Sequence, residues 1–262
     1  MIDSAVSFFV SFFQDPTAWG IGLAIGFGVV WLVCYRPPFF RKSWLWAILV
    51  GSAFFTLVAI CFIQFPLQTW TGQALIDFLR PEAYIRWMLL ASIPQMLIMG
   101  LVQEGAKMVP MVVYWRRNDR DIDPKLGLVI GAVAGAGFAI FEAQWQYNAI
   151  FATGWTWASV QTAGFMELLG FWGAFFTMAG HIAFSALGGY GLARGRGWQF
   201  YLMISGLHAL LKYSTVLLGA GTIPTPHAEI YTMAGIAEVA VVAVGVTAWA
   251  LWLRWGKGEG KS

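Results

Sequence analysis

Four ionisable side chains lie inside apolar runs of this sequence and could do chemistry there: Glu104, Glu142, His181 and His208. Lys107 follows the first of them by three residues. On insertion scales, a charged residue at the centre of a bilayer costs roughly 2.5–3.5 kcal/mol. Five such residues threaten a cost on the order of 10 kcal/mol, comparable to the net stability of a whole domain. The sequence therefore predicts that these groups compensate one another, do chemistry together, or both.

Two carboxylates and two imidazoles are a suitable set for activating water. A glutamate can act as the general base, and two histidines with one glutamate form the ligand set of a hydrolytic zinc site. His181 and His208 are therefore predicted metal ligands, with Glu142 as the third ligand or an orienting group. Without a metal, the histidines would stabilise an oxyanion instead. Structural roles stay open as well: an ion pair for Glu104 and Lys107, a hydrogen bond for Glu142, and packing for the histidines.

The composition indicates an all-α, polytopic membrane protein. Apolar residues make up 59% of the chain and charged residues only 11%, against about 25% charged residues in soluble domains. Seven stretches are long enough to cross a hydrocarbon core of about 30 Å. They lie near 17–35, 44–64, 87–115, 126–150, 168–193, 198–219 and 229–253. Pro94 and Pro110 in the third stretch predict a tilt or a kink there. No soluble module separates these spans, so residues 1–262 are predicted to form a single integral membrane domain.

The basic residues predict the orientation of the spans. Twelve of the sixteen Lys and Arg residues would lie on one side, in loops 36–43, 116–125 and 194–197 and in the C-terminal tail. Only Arg80 and Arg86 would lie on the other side. The positive-inside rule therefore puts the N-terminus outside and the C-terminus in the cytoplasm. The net charge of +3 follows from this bias, so binding to nucleic acid is not needed to explain it.

A ladder of small residues lies on the same helical stripe as Glu142. Gly127, Gly131 and Gly135 recur at a spacing of four, and such ladders let a second helix approach closely. Glu142 follows Gly135 by seven residues, which is two helical turns. We therefore expect Glu142 to face another helix instead of lipid. The outer segments 65–86 and 151–167 are rich in aromatic and apolar residues and are expected to lie along the membrane interface.

The two histidines also lie on packed faces. His181 belongs to a stripe of small or polar residues that includes Ser185, and His208 aligns with Lys212. Counted from the predicted cytoplasmic ends, both histidines and both glutamates fall within a slab about 10 Å thick near mid-membrane. We therefore expect the four side chains to converge in one cavity. Lys212 itself is expected to form a structural pair with Glu238 in the next span.

At these residues the chain resembles a known family. QEGAK at 103–107, FAIFE at 138–142, HIAFS at 181–185 and the later His208 are similar to the four motifs of PrsW-type intramembrane proteases, which belong to the CAAX-protease/Abi superfamily. In that family the first motif is two glutamates followed by a basic residue, the second is Phe-x-x-x-Glu or Asn, and the third and fourth each supply a histidine. The resemblance covers roughly residues 90–250 and implies hydrolysis of peptide bonds in or near the membrane.

One position departs from the family pattern. The first glutamate of the pair is Gln103 here, and an amide cannot take a proton from water. An active enzyme would therefore need Glu104 or Glu142 as the base, and Glu104 is favoured because the positive charge of Lys107 should keep it ionised. The Gln-Glu pair, seven spans and an outside N-terminus also resemble the Aph subunit of γ-secretase, which implies a scaffold instead of a protease.

These observations predict an intramembrane protease with zinc as its candidate cofactor. The candidate catalytic residues are Glu104, Glu142, His181 and His208, and the supporting residues are Gln103, Lys107 and Ser185. The expected partners are the lipid bilayer and a transmembrane protein or peptide substrate, and the expected location is a prokaryotic cytoplasmic membrane. A non-catalytic scaffold or substrate-binding homologue is the first alternative. A proton-coupled transporter is the second, since buried Glu, His and Lys can form a proton relay.

Overall fold

The computed structural model describes residues 2–256, without the side chains of Ile2, Asp3 and Pro81. Over these residues the chain is helical and has no strand, as the composition predicts. The helices are α1 (Ile2–Ser11), α2 (Ala18–Val33), α3 (Trp44–Ala59), α4 (Phe65–Leu79), α5 (Pro81–Arg86), α6 (Met88–Ala91), α7 (Ile93–Arg117), α8 (Pro124–Ala152), α9 (Trp157–Ala163), α10 (Leu169–Ala193), α11 (Gly197–Gly221) and α12 (Ala228–Trp255). A π-turn at Ile60–Gln64 joins α3 to α4, and a 3₁₀ turn at Phe165–Leu168 leads into α10.

Six helical stretches of the described chain are long and apolar enough to cross a membrane, which makes this a multi-pass membrane protein. They are Trp44–Leu79, Met88–Arg117, Pro124–Ala152, Phe165–Ala193, Gly197–Gly221 and Ala228–Trp255. The first predicted span, near 17–35, corresponds to α2, whose 16 residues are apolar but shorter than these six. Six candidate spans are therefore found, and the seventh stays a prediction.

Helix α8 lies at the centre of the bundle and packs on α10, α3 and α2. A Cβ atom at any of Gly127, Gly131 and Gly135 would collide with main-chain atoms of α10 between His181 and Gly189. The predicted glycine ladder is therefore confirmed as a close helix–helix seam. This seam brings the backbone of His181 directly against α8, and so positions the first half of the candidate site.

The second predicted span continues beyond its expected end at residue 64. Pro66 has no N–H group, and its ring clashes with the carbonyl four residues earlier, which disfavours a regular α-helical turn there. The helix widens instead, and the Phe65 N–H bonds to the Ile60 carbonyl five residues back. The helix then runs on to Leu79. Most of the expected interfacial segment 65–86, namely Phe65–Leu79, is thus an extension of the span.

The third predicted span divides into two helices. Pro94 stands in the first turn of α7, where a missing N–H group costs nothing, so it begins the helix instead of kinking it. The short helix α6 precedes this start. Pro110 lies inside α7, which continues to Arg117. Because Pro110 cannot donate to the carbonyl of Ala106, that carbonyl loses its usual helical partner beside the candidate site.

Three chain segments that are predicted to face the cytoplasm meet at one end of the bundle. Trp255 Nε1 donates a hydrogen bond of 2.9 Å to the Cys34 carbonyl, which joins the end of α12 to the end of α2. Lys125 Nζ donates to the Gly256 carbonyl at 3.3 Å, which adds the start of α8. The two tail lysines that were counted for this side, Lys257 and Lys261, lie outside the described residues.

Candidate functional site

Helix α7 carries a buried ion pair into the centre of the bundle. Glu104 and Lys107 are both 0% exposed and, at a spacing of three, share one face of the helix. Lys107 Nζ donates a hydrogen bond to Glu104 Oε1. A buried ion pair is stable only where further hydrogen bonds satisfy both charges, and neighbouring helices supply them here.

Helices α10 and α11 add two hydrogen-bonding groups to Glu104. His208 Nδ1 lies 2.7 Å from Glu104 Oε1, and Ser185 Oγ donates to Oε2 at the longer distance of 3.4 Å. Because a carboxylate oxygen only accepts, His208 donates from Nδ1, and in the neutral imidazole Nε2 then carries the lone pair. That Nε2 atom is buried and has no hydrogen-bond partner among the described residues. His208 therefore offers a free lone pair inside the site.

His181 connects this pair to a second carboxylate. Its Nδ1 lies 3.1 Å from Lys107 Nζ, and its Nε2 lies 2.7 Å from Glu142 Oε2. An ammonium group only donates, so Nδ1 accepts from Lys107 and the ring proton sits on Nε2, facing Glu142. Lys212 Nζ completes the chain by donating to Glu142 Oε1 at 2.8 Å. We call Glu104, Lys107, Glu142, His181, His208 and Lys212 the charged network.

The charged network is electrically balanced, since two carboxylates face two ammonium groups and both histidines carry a single ring proton. This balance is what allows such a cluster to be buried. The expected pairing of Lys212 with Glu238 is wrong, because Lys212 of α11 bonds to Glu142 of α8 instead. Lys212 follows His208 by four residues and lies on the same helical face, which was the available signal for its place in the site.

The four predicted catalytic side chains thus form two hydrogen-bonded pairs, Glu104 with His208 and Glu142 with His181, which Lys107 joins. The network is unevenly exposed. Glu142 and Lys212 have side chains that are 14% and 10% exposed. Glu104, Lys107, His181 and His208 are each 0% exposed. The network therefore reaches the surface at the edge formed by Glu142 and Lys212, while its other end is sealed.

Three of the network residues could hold a metal ion. Glu104, His181 and His208 each offer one ligand atom, and these atoms all lie within 4.8 Å of one another. Two imidazoles and a carboxylate match the donor set of hydrolytic zinc sites, and the free Nε2 lone pair of His208 fits a ligand role. Lys107 Nζ contacts two of the three groups, so a cation already interacts at this position. The donor chemistry therefore fits a divalent ion that would replace the Lys107 ammonium group as the cation bound to Glu104 and His181.

Gln103 belongs to a different set of contacts. Its Nε2 donates to Gln64 Oε1 at 3.0 Å, on the π-turn between α3 and α4. Gln64 Nε2 donates to Gln68 Oε1 at 3.1 Å, and Gln68 Nε2 donates to the Gln95 carbonyl at 2.8 Å. We call these four residues the glutamine row. This row was not predicted, although three amides in otherwise apolar stretches, at 64, 68 and 95, were a visible signal in the sequence.

Comparison with known proteins gives a family but no individual relative. The model of a family described as PrsW family intramembrane metalloprotease matches residues 41–217. That segment is more than half of the 262-residue chain and contains all six residues of the charged network. The comparisons with curated proteins and with solved structures gave no match.

Proposed function

Because this chain belongs to the PrsW family of intramembrane metalloproteases, we propose that its charged network hydrolyses peptide bonds of membrane-embedded or membrane-proximal segments. The observation that carries this proposal is the convergence of Glu104, His181 and His208 from three helices, with ligand atoms within 4.8 Å. All three side chains are fully buried in a bundle of apolar helices. Such groups are expensive inside a membrane and mark functional sites there.

We assign the metal-holding role to Glu104, His181 and His208, with zinc as the ion that suits them. When bound, such an ion polarises a carbonyl oxygen and lowers the pKa of water. Glu142 would orient His181, because its Oε2 accepts from Nε2 and so leaves the Nδ1 lone pair directed toward the other two groups. This assignment gives Glu104 the ligand role that was predicted from the sequence for Glu142, and keeps Glu142 as an orienting group. Like the prediction, it is a proposal.

We assign the proton transfer to Oε2 of Glu104. Its Oε1 is engaged by Lys107 and by His208, whereas Oε2 has only the long contact from Ser185. Oε2 is therefore the oxygen with a lone pair available to accept a proton from attacking water. Lys107 supports this role because its charge keeps the carboxyl group ionised, and Gln103 cannot replace it since an amide does not titrate.

The proposed topology keeps seven spans, with the N-terminus outside and the C-terminus in the cytoplasm. Helix α2 supports this although it is short. At one end, Asn148 Oδ1 near the end of α8 accepts from Thr17 Oγ1 at 2.8 Å. At the other end, the Cys34 carbonyl accepts from Trp255 at the close of α12. Helix α2 thus extends along α8 between the two ends of the bundle. A reporter fused after Ser262 should behave as cytoplasmic.

The remaining assignments follow from this topology and from the family. We propose that residues 1–262 form one integral domain and that the substrate is a transmembrane protein or peptide. We place the protein in a cell membrane, in line with the predicted prokaryotic location. A site at mid-membrane depth suits a substrate that arrives within the bilayer, and the exposed edge at Glu142 and Lys212 is where it can reach the network.

The test is cleavage of a panel of transmembrane reporters by purified protein in liposomes, together with metal analysis. Wild type should cleave and contain a divalent ion, whereas His181→Ala should do neither. Glu238→Gln is the matched control, because it alters a carboxyl group in the membrane that lies outside the charged network. A metal content that is equal in wild type and His181→Ala would exclude the assigned ligands.

A non-catalytic scaffold is the alternative, and one observation favours it. Gln103 stands where the family resemblance implies a glutamate, and its amide pairs with Gln64 instead of entering the charged network. Under this hypothesis the network would only hold α7, α8, α10 and α11 together. If wild type and Gln103→Glu are both inert toward the whole reporter panel, the scaffold becomes the better account.

A further inference from the structure

We propose that the glutamine row is the route by which water reaches Glu104 while a substrate is bound. This inference rests on the proposed function, because hydrolysis consumes one water molecule for each peptide bond that is broken. The row consists of Gln103, Gln64, Gln68 and Gln95, and Gln103 is the residue directly before Glu104 in α7.

The charged network needs a second access. Its only described exposed edge is formed by Glu142 and Lys212, with side chains 14% and 10% exposed. That edge is also where a transmembrane substrate can reach the site, so a bound substrate would cover it. Glu104, at the opposite end, is 0% exposed. Water for the reaction must therefore come from another side or be trapped before the substrate binds.

The glutamine row leads outward from the right place. Gln103 and Gln64 are 3% and 5% exposed, whereas Gln68 and Gln95 are half-buried. Gln95 precedes Gln103 by eight residues in α7, which is a displacement of about 12 Å along the helix. Gln95 Nε2 in turn lies 3.4 Å from the hydroxyl group of Tyr84, in α5. The polar groups thus form a continuous series from the interior to the N-terminal end of α7.

The inner end of the row has an unsatisfied polar atom. Gln103 Oε1 is buried and receives no hydrogen bond from any described residue, although such an acceptor usually costs about 1–3 kcal/mol when left unpaired. Each amide in the row also has a second N–H group or lone pair beyond the bonds that link the row. Water can bind to such groups, since a buried water molecule typically makes two to four hydrogen bonds to polar partners.

The local backbone is shaped to form this row. The π-turn at Ile60–Gln64 ends at Gln64, and π-turns inside helices are frequent at functional sites. Near the outer end, Gly72 of α4 lies so close to the Gln95 amide that an added Cβ would come within 3.2 Å of Nε2. Both features bring amide side chains on either side of the α4–α7 contact together. Apolar side chains at these positions would cost less free energy inside a membrane.

The competing explanation is that the glutamine row only holds α4 and α7 together through hydrogen bonds. Thiol chemistry separates the two, because a thiol ionises in water but not in an apolar contact. The native Cys61 is the matched control: it is 0% exposed, precedes Gln64 by three residues, and packs with Phe12 and Leu57. The experiment compares Cys34→Ser with Cys34→Ser/Gln64→Cys in liposomes, using a charged, membrane-impermeant methanethiosulfonate reagent added to both faces at about pH 8.5, where half of a hydrated thiol is ionised.

We expect loss of the free thiol at position 64 and no modification of Cys61. Lack of reaction at both positions would overturn the water route and leave the role of holding α4 and α7 together. A second arm measures cleavage by Gln64→Leu, which should lower kcat without changing KM or metal content. If position 64 reacts but Gln64→Leu keeps the wild-type kcat, the row is hydrated but does not supply the reaction. The thiol arm needs no protease activity, so its outcome is independent of whether the proposed function holds.

Discussion

The two carboxylates of the charged network have the same kinds of partner but different surroundings. Glu104 is bonded to Lys107 and His208, and Glu142 is bonded to Lys212 and His181. Each therefore receives one ammonium group and one imidazole. Glu104 and both of its partners are completely buried, whereas the pair formed by Glu142 and Lys212 is partly exposed. The same chemistry is thus present twice, once sealed and once at an edge.

The difference in burial predicts different roles for Glu104 and Glu142. A sealed carboxylate interacts with its partners at low dielectric, where electrostatic interactions are strongest, which suits holding an ion and taking a proton. A carboxylate at the edge can exchange partners with a substrate, and through its hydrogen bond to His181 it can still orient a group in the sealed half. The two halves should therefore respond differently to equivalent substitutions.

The largest expected effect is on catalysis by Glu104→Gln. The amide keeps the shape of the side chain but cannot accept a proton and is a poorer metal ligand, so cleavage should fall by at least about 10²-fold, the lower end of the range for loss of a general base alone. Single-turnover cleavage of a transmembrane reporter measures this, with the melting temperature recorded to check folding. Cleavage equal to wild type would show that Glu104 is not the base.

Lys107→Met and Lys212→Met each remove the lysine of one Glu–Lys pair. The stability that each variant loses compares the contributions of the sealed pair and the exposed pair. Removing Lys107 leaves the fully buried Glu104 without its cation, which should destabilise the protein by about 3–5 kcal/mol. Removing Lys212 should cost clearly less, because Glu142 is partly exposed and not sealed in the interior. Thermal unfolding in detergent at a fixed pH measures both variants. Equal losses of stability would contradict the distinction between the halves.

Much of the network could be predicted from the sequence because helical spacing and depth are regular. Glu104, Glu142, His181 and His208 were matched by depth, and the Gly127–Gly135 ladder located the α8–α10 seam. Lys212 was missed as a site residue because a lysine side chain can reach either of two neighbouring helices, and spacing within one helix does not decide between Glu142 and Glu238. The π-turn could not be predicted, because it depends on how the backbone changes locally next to Pro66. The spacing of apolar residues carries no information on that change.

Glu142→Gln should have a smaller effect on metal binding than loss of a ligand. If Glu142 only orients His181, its replacement should weaken metal affinity by about 10–100-fold, as for other outer partners of metal ligands. Glu104→Gln should remove stoichiometric metal altogether at the same free-ion concentration. Titration of the purified variants with zinc against a competing chelator measures both. The reverse order of affinities would restore Glu142 as the ligand that the sequence analysis predicted.

The smallest expected effect is that of Gln103→Glu, which should maintain or raise cleavage. The new carboxylate cannot donate to Gln64 Oε1, so the Gln64 amide must turn over and donate to it instead. The Gln68 amide must then turn as well, which brings its oxygen toward the Gln95 carbonyl, a main-chain acceptor that cannot turn. In a dry row this leaves two facing acceptors and a loss of stability, whereas a water molecule that donates to both relieves the conflict. A hydrated row therefore predicts little change in melting temperature together with unchanged or faster cleavage, and a fall to the level of Glu104→Gln would contradict both the water route and the secondary role of position 103.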